Sequence, residues 1–162
     1  MPRATKGARG PAGLPAQTFI IDNGEYSLKA GFAPAEQQDD STSLSQCLVI
    51  PNSIVKTRDR KTHVAAQMDK DITQWSEAVF RRPVEHGQVV SWEAQKEVWD
   101  FSFFDDRSAS KDLLITQPEE TTLILGENSN VLPALQKNED EIIMEEWGFG
   151  GYMRTSGAHA PG

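Results

Sequence analysis

Cysteine and histidine are scarce in this chain: one Cys and three His in 162 residues. A lone thiol cannot close an internal disulfide, so a disulfide framework is excluded. Cys47 sits in an apolar run with Leu48, Val49 and Ile50, which predicts a buried, reduced thiol without a partner base. His63, His86 and His159 lie far apart, with no His-x-x-x-His and no Cys-x-x-Cys, so no metal-ligand set emerges. Gly-x-Ser-x-Gly and Walker motifs are also lacking. No apolar run reaches the roughly 20 residues of a membrane span. The N-terminus lacks the apolar core of a signal peptide. Positive charge is in deficit: 16 Lys and Arg stand against 24 Asp and Glu, a formal net charge of −8. Nucleic-acid phosphate is therefore not expected as a direct partner, whereas a basic protein surface is electrostatically suitable.

What is present suits one modest domain. Apolar residues make up 38% of the chain and charged residues 25%. Residues 1–17 are rich in Pro, Gly and Ala and carry Arg3, Lys6 and Arg9 without an acid, which reads as a disordered basic tail. The next stretch organises the chain. Phe19-Ile20-Ile21 predicts a buried strand, Asp22-Asn23-Gly24 breaks it, and a second strand from Tyr26 to Phe32 returns. Asn-Gly between apolar runs predicts a hairpin with a type I′ turn. Its tip offers a carboxylate, a carboxamide and a glycine, with Lys29 just beyond. Such a tip can turn backbone N–H groups toward an anion, place an ammonium on a phosphate and hold a hydrated metal ion through Asp22. The plainer reading is an ordinary hairpin.

Further on, Ala35 to Ser45 reads as a polar loop and Cys47 to Ile50 as a third strand. Pro51-Asn52-Ser53 bends the chain, and Ile54-Val55 resumes it. Lys56, Arg58, Arg60 and Lys61 form a basic cluster that suits a solvated loop. His63 to Asp69 predicts a short helix capped by Thr62. Phe80 to Gly87 reads as a loop. Trp92 to about Phe103 predicts the clearest helix, capped by Ser91, with Trp92, Trp99 and Phe103 on a core face. Leu113-Leu114-Ile115 predicts a buried strand. Residues 120–131 read as a loop or a weak strand. A second helix is expected from Pro133, its apolar stripe running through Leu132, Leu135, Ile142, Ile143 and Trp147. Its carboxylates, from Glu139 to Glu146, read as a solvated face; docking of a basic partner is the sharper alternative. Gly148 to Gly162 shows no periodicity. Strands alternating with helices predict an α/β domain with a mixed sheet.

Several segments in order resemble the actin family. Asp22-Asn23-Gly24 with Lys29-Ala30-Gly31-Phe32 is similar to its first phosphate-binding hairpin. Pro51 to Val55, then Pro83-Val84-Glu85-His86-Gly87 with Trp92 and Trp99, follow as in actins, as do Leu113 to Pro118 and Ile142 to Trp147. The resemblance covers roughly Phe19 to Trp147. It implies the ribonuclease-H-like first lobe of an actin fold over 18–162, with flanking helices, incomplete without the second lobe. Within the family, Tyr26, Phe80-Arg81-Arg82-Pro83, Trp99-Asp100-Phe101 and Glu145 to Phe149 resemble a nuclear subfamily of actin-related proteins. Members are non-catalytic subunits of Swr-type chromatin remodelling complexes, which exchange a standard histone for a variant one.

By that resemblance the partners are other remodeller subunits, with histones reached indirectly and no membrane. The location is the nucleus, with the cytoplasm as a second compartment. The implied phosphate hairpin comprises Asp22, Asn23, Gly24, Glu25, Tyr26 and Lys29, in degenerate form. Conventional actins carry serine and glycine where Glu25 and Tyr26 stand. The water-positioning glutamine falls near Gly157, and the Lys61–Phe80 region is shorter than in actins. The tail and the 120–131 stretch read as additions. No catalytic residue and no resident cofactor are therefore expected; ATP with a divalent metal belongs to the full-length parent, if to either. An actin-like ATP-binding protein and a cytoskeletal actin-related protein are the alternatives.

Overall fold

A computed structural model describes residues 13, 15–34, 47–67, 72, 75–127 and 131–156. The polar loop expected at 35–45, Gly157, His159 and Arg3, Lys6 and Arg9 of the tail lie outside the described residues. Gln17, expected in the tail, opens the first strand.

The fold is α/β with a mixed sheet. Strand β1 is Gln17–Asn23, β2 Ser27–Phe32, β3 Leu48–Pro51, β9 Thr121–Glu127 and β10 Gly151–Ser156. They lie in the order β10-β9-β1-β2-β3. β1, β2 and β3 form an antiparallel meander, while β9 runs parallel to both β1 and β10. A second sheet orders β5 (Thr62–Val64), β4 (Ile54–Lys56) and β6 (Val79–Arg81). A two-stranded ribbon joins β7 (Val84–Glu85) to β8 (Gln88–Val89).

Alternation decides which sheet face is buried. Phe19 and Ile21 on β1, Leu28 and Ala30 on β2, and Leu123 and Leu125 on β9 all enter one core. Burying a side chain of this size contributes about 1.5–3 kcal/mol. Helix α1, Trp92–Trp99, covers that face. Its cap is as expected: Ser91 Oγ accepts from Ala94 N–H at 3.3 Å. The helix continues through Asp100–Phe104 in wider turns, where Asp105 N–H reaches Asp100 C=O at 2.8 Å. Helix α2, Pro133–Glu141, widens likewise over Ile142–Trp147.

The two helices meet through aromatic rings. Trp147 lies 4.8 Å from Trp99 and stacks on Phe104 at 6.0 Å between centroids. Its indole N–H donates to Asp100 Oδ1 at 2.8 Å. Lys96 on α1 pairs with Glu146, whose carboxylate raises the ammonium's pKa against the opposing effect of desolvation.

Several expectations need correction. Cys47 is exposed, because it precedes β3 rather than entering it. Thr62–Val64 is a strand, since its backbone pairs with β4 and no helical stripe follows; His63 is half-buried there. Residues 80–87 are not simply a loop: β6, β7 and the start of the β7–β8 ribbon occupy them. Leu113 and Ile115 are buried as expected, but they lie in a turn and the irregular backbone after it, not a strand. The largest correction concerns the place of β9, read as a loop or a weak strand and as an addition. The weak strand at 121–127 lies between β1 and β10 and is no addition to the core. Its residues alternate between buried and half-buried with none exposed, as suits a strand with neighbours on both sides. Residues 151–156, read as aperiodic, form β10. Glu139 on α2 is buried, not solvated.

Candidate functional site

Parallel strands direct ligands to their carboxyl ends, where loops and helix termini converge. Here β1 ends at Asn23 and β9 at Glu127. A small cleft of about 20 Å³, room for about one water molecule, opens there, lined by Asn23, Gly126, Glu127, Gly87, Trp92 and Glu139, among others. It brings together the β1–β2 hairpin tip, the β7–β8 turn and helix α2.

The tip is not the two-residue turn expected. Asn23 pairs with Leu28, and Gly24, Glu25 and Tyr26 connect β1 to β2. Gly24 has no positive φ; its role is close approach, since an added Cβ would sit 2.5 Å from Ser27 O. The mirror-image turn occurs instead at His86-Gly87, with φ of 52° and 75°, where two residues join β7 to β8.

Three side-chain amides close a ring at the tip. Asn23 Nδ2 donates to Gln95 Oε1 at 2.9 Å. Gln95 Nε2 donates to Asn52 Oδ1 at 3.0 Å. Asn52 Nδ2 donates to Asn23 Oδ1 at 3.2 Å and to Gly24 C=O at 2.8 Å. Asn52 N–H also reaches Tyr26 C=O at 3.0 Å. Asn52 and Gln95 are fully buried. The ring pins β1, the 51–53 bend and α1 to one another, and each buried amide finds a partner in it.

The other candidates are engaged as well. Lys29 Nζ pairs with Asp22 Oδ2 at 3.1 Å, both side chains more than half exposed. Glu25 Oε2 accepts from His86 N–H at 3.3 Å and so ties the tip to the mirror-image turn. Tyr26 is exposed, with the Arg82 guanidinium 4.6 Å from its ring centre. A nucleotide phosphate at this tip would meet the Glu25 carboxylate, and the nearest ammonium is already matched by Asp22. The residues fit a phosphate poorly.

On the far side of the cleft stands a charged cluster. Glu139 and Tyr152 are joined by a Tyr152 O–H to Glu139 Oε1 bond of 2.5 Å. Arg154 Nε lies 3.4 Å from Glu139 Oε1 and 3.2 Å from Glu127 Oε1. Its Nη2 donates to Gln136 C=O at 2.6 Å and contacts Asp140. Burial pushes the Glu139 carboxyl up to about 8; the Glu127 carboxyl beside it adds to this, and the Tyr152 hydroxyl opposes it. A proton held by Glu139 at neutral pH can bridge to Glu127, whose buried Oε1 has no aligned donor. Burial and the bond to Glu139 raise the Tyr152 phenol far above its usual range.

Of Asn52, Gln95, Glu127, Glu139, Tyr152 and Arg154, only Glu139 was a sequence candidate, and then as one carboxylate of an acidic docking face. A signal existed for two of them. Gln95 lies four residues before Trp99, and Glu139 four before Ile143, so each is a polar residue on an apolar stripe.

The actin family model matches residues 13–160. The chain is 55% identical over 161 residues to actin-like protein arp6 of Aspergillus fumigatus, covering 96% of this chain and 34% of that protein. It is 60% identical over 144 residues to actin-like protein arp6 of Emericella nidulans, covering 87% and 30% respectively. Actin-related protein 6 of Neurospora crassa is 44% identical over 150 residues, or 93% of this chain and 31% of that protein. The chain spans about a third of the length of these curated relatives.

Proposed function

The chain belongs to the actin family, as an actin-related protein, and from that premise we propose that it serves as a non-catalytic subunit of a Swr-type chromatin remodelling complex. In this reading it works in the nucleus, packs against other remodeller subunits and meets histones only through them. A separate motor subunit hydrolyses the ATP. The subunit role is supported by the likeness to the arp6 relatives and by the subfamily's signatures at Phe80-Arg81-Arg82-Pro83 and Glu145 to Phe149.

One observation carries the non-catalytic part. The polar groups of the hairpin tip are spent inside the protein: Asn23 in the amide ring, Glu25 on the His86 N–H, and Lys29 on Asp22. A tip that turned over nucleotide would keep donors aimed at developing phosphate charge.

The test is affinity capture of the tagged protein from nuclear extract, read by mass spectrometry. Remodeller subunits are expected. Recovery of cytoskeletal proteins alone would overturn the subunit reading. Millimolar ATP with magnesium should leave the melting temperature unchanged, whereas a rise of several degrees would support the actin-like ATP-binding alternative.

A further inference from the structure

The small sheet β5-β4-β6 stands apart from the cleft. Its outer strand β6 is exposed at all three residues. Among the described residues it pairs with β4 on one side and with no strand on the other. A free edge of this kind is a row of unpaired N–H and C=O groups, able to accept a further strand.

The side chains around the edge are apolar and cationic. Val79 and Phe80 are 67% and 47% exposed. Phe80 stacks on the exposed Trp75, with centroids 5.9 Å apart and planes at 10°. Register sets Val79 opposite Lys56 and Arg81 opposite Ile54, so these share the face away from Phe80. Arg58 pairs with Glu77 and Lys61 with Asp59, and Arg81 donates to Ser91 Oγ at 3.0 Å with Glu93 3.8 Å away, an exposed pair that a second carboxylate can share. Lys56 and Arg60 are exposed and have no acidic partner among the described residues. Residues 54–82 hold seven Lys and Arg against four Asp and Glu, a local charge of +3 within a chain of −8.

We propose that β6 is the docking edge for an acidic segment of a partner protein, which adds as a strand. Alternation would turn its carboxylates toward the face of Arg81, where Lys56, one strand further in, reaches across Val79 on its long stem, and its apolar side chains toward the Trp75–Phe80 shelf. Backbone pairing supplies affinity, and the charges select the partner. A second copy of the chain would bring a like-charged edge, and nucleic acid would face the chain's overall negative charge. This inference does not rest on the remodeller reading.

The test is fluorescence anisotropy on the full chain with a labelled nonapeptide, Glu-Ile-Glu-Phe-Glu-Ile-Glu-Phe-Glu. Its lysine-for-glutamate counterpart and a version with proline in place of both isoleucines serve as comparisons. The acidic peptide should bind at least about tenfold tighter than the basic one, and the proline version should fail. Lys56→Glu and Arg81→Glu, each checked for an unchanged melting temperature, should each weaken acidic-peptide binding by about tenfold. Equal binding of the two charge versions would overturn the proposal. So would retained binding of the proline version, tighter binding of single-stranded oligothymidylate, or dimerisation in sedimentation that excludes the peptide.

Discussion

The two walls of the cleft do the same job with opposite chemistry. Each ties strand ends to a flanking helix through buried polar groups. The hairpin wall uses neutral amides, Asn23, Asn52 and Gln95, in a closed ring. The other wall uses ionisable groups, Glu127, Glu139, Tyr152 and Arg154. Neutral amides cost less to bury and titrate nowhere, so their hold is independent of pH. Charged groups hold only while their protons and partners match, and their burial moves pKa values instead. One wall is therefore a fixed clamp, and the other a clamp that responds to pH.

The largest effect should come from Arg154→Met, which strips the cation from a buried carboxylate pair. Denaturant melts at pH 8 should show a loss of about 3–5 kcal/mol, and a smaller loss at pH 5, where Glu139 is neutral. Gln95→Leu should come next. It leaves Asn23 and Asn52 without their partner and should cost about 2–3 kcal/mol, equally at both pH values. A pH-dependent loss there would remove the distinction between the walls.

Glu139→Gln isolates the titration. The carboxyl rises from its ordinary 4.5 to about 8 on folding. Below 4.5 it is protonated in both folded and unfolded chains. Between the two values the unfolded chain releases a proton that the native state keeps, so stability falls as pH rises. The slope from this group is at most about 1.4 kcal/mol per pH unit, and it flattens above the folded value. The glutamine variant should lose that slope in melts taken from pH 5 to 8. An unchanged slope would place the titrating group elsewhere. The smallest effect belongs to Asp22→Asn at the exposed Lys29 pair, within about 0.5 kcal/mol by the same melts.

Much of the fold was legible because local signals agreed with the packing. The Phe19–Ile21 run, the Ser91 cap and the Trp92-Trp99-Phe103 stripe each appear where the residues said. Strand β10 was not legible, and β9 was legible only as a weak strand, not as a central one. A strand flanked on both sides exposes no polar face to mark it, and the β1 partner that makes β9 central lies about a hundred residues away. The mirror-image turn illustrates the same limit. Asn23-Gly24 has the better turn residues, yet Asn23 is held in β1 by its amide partners. His86-Gly87 adopts the turn because β7 and β8 pair around it.

By itself the sequence determined the family, the first hairpin, both helices and the residues at its tip. Those follow from nearest-neighbour chemistry: apolar period, caps and a motif of contiguous residues. Only the tertiary structure decided what the tip does with its polar groups. Asn23 meets Gln95 across 72 positions, Glu25 meets His86 across 61, and Arg154 meets Glu139 across 15. Whether a carboxamide or carboxylate stays open to a ligand or is consumed within the protein depends on which donor the fold brings within 3 Å or so, and spacing along the chain does not encode that.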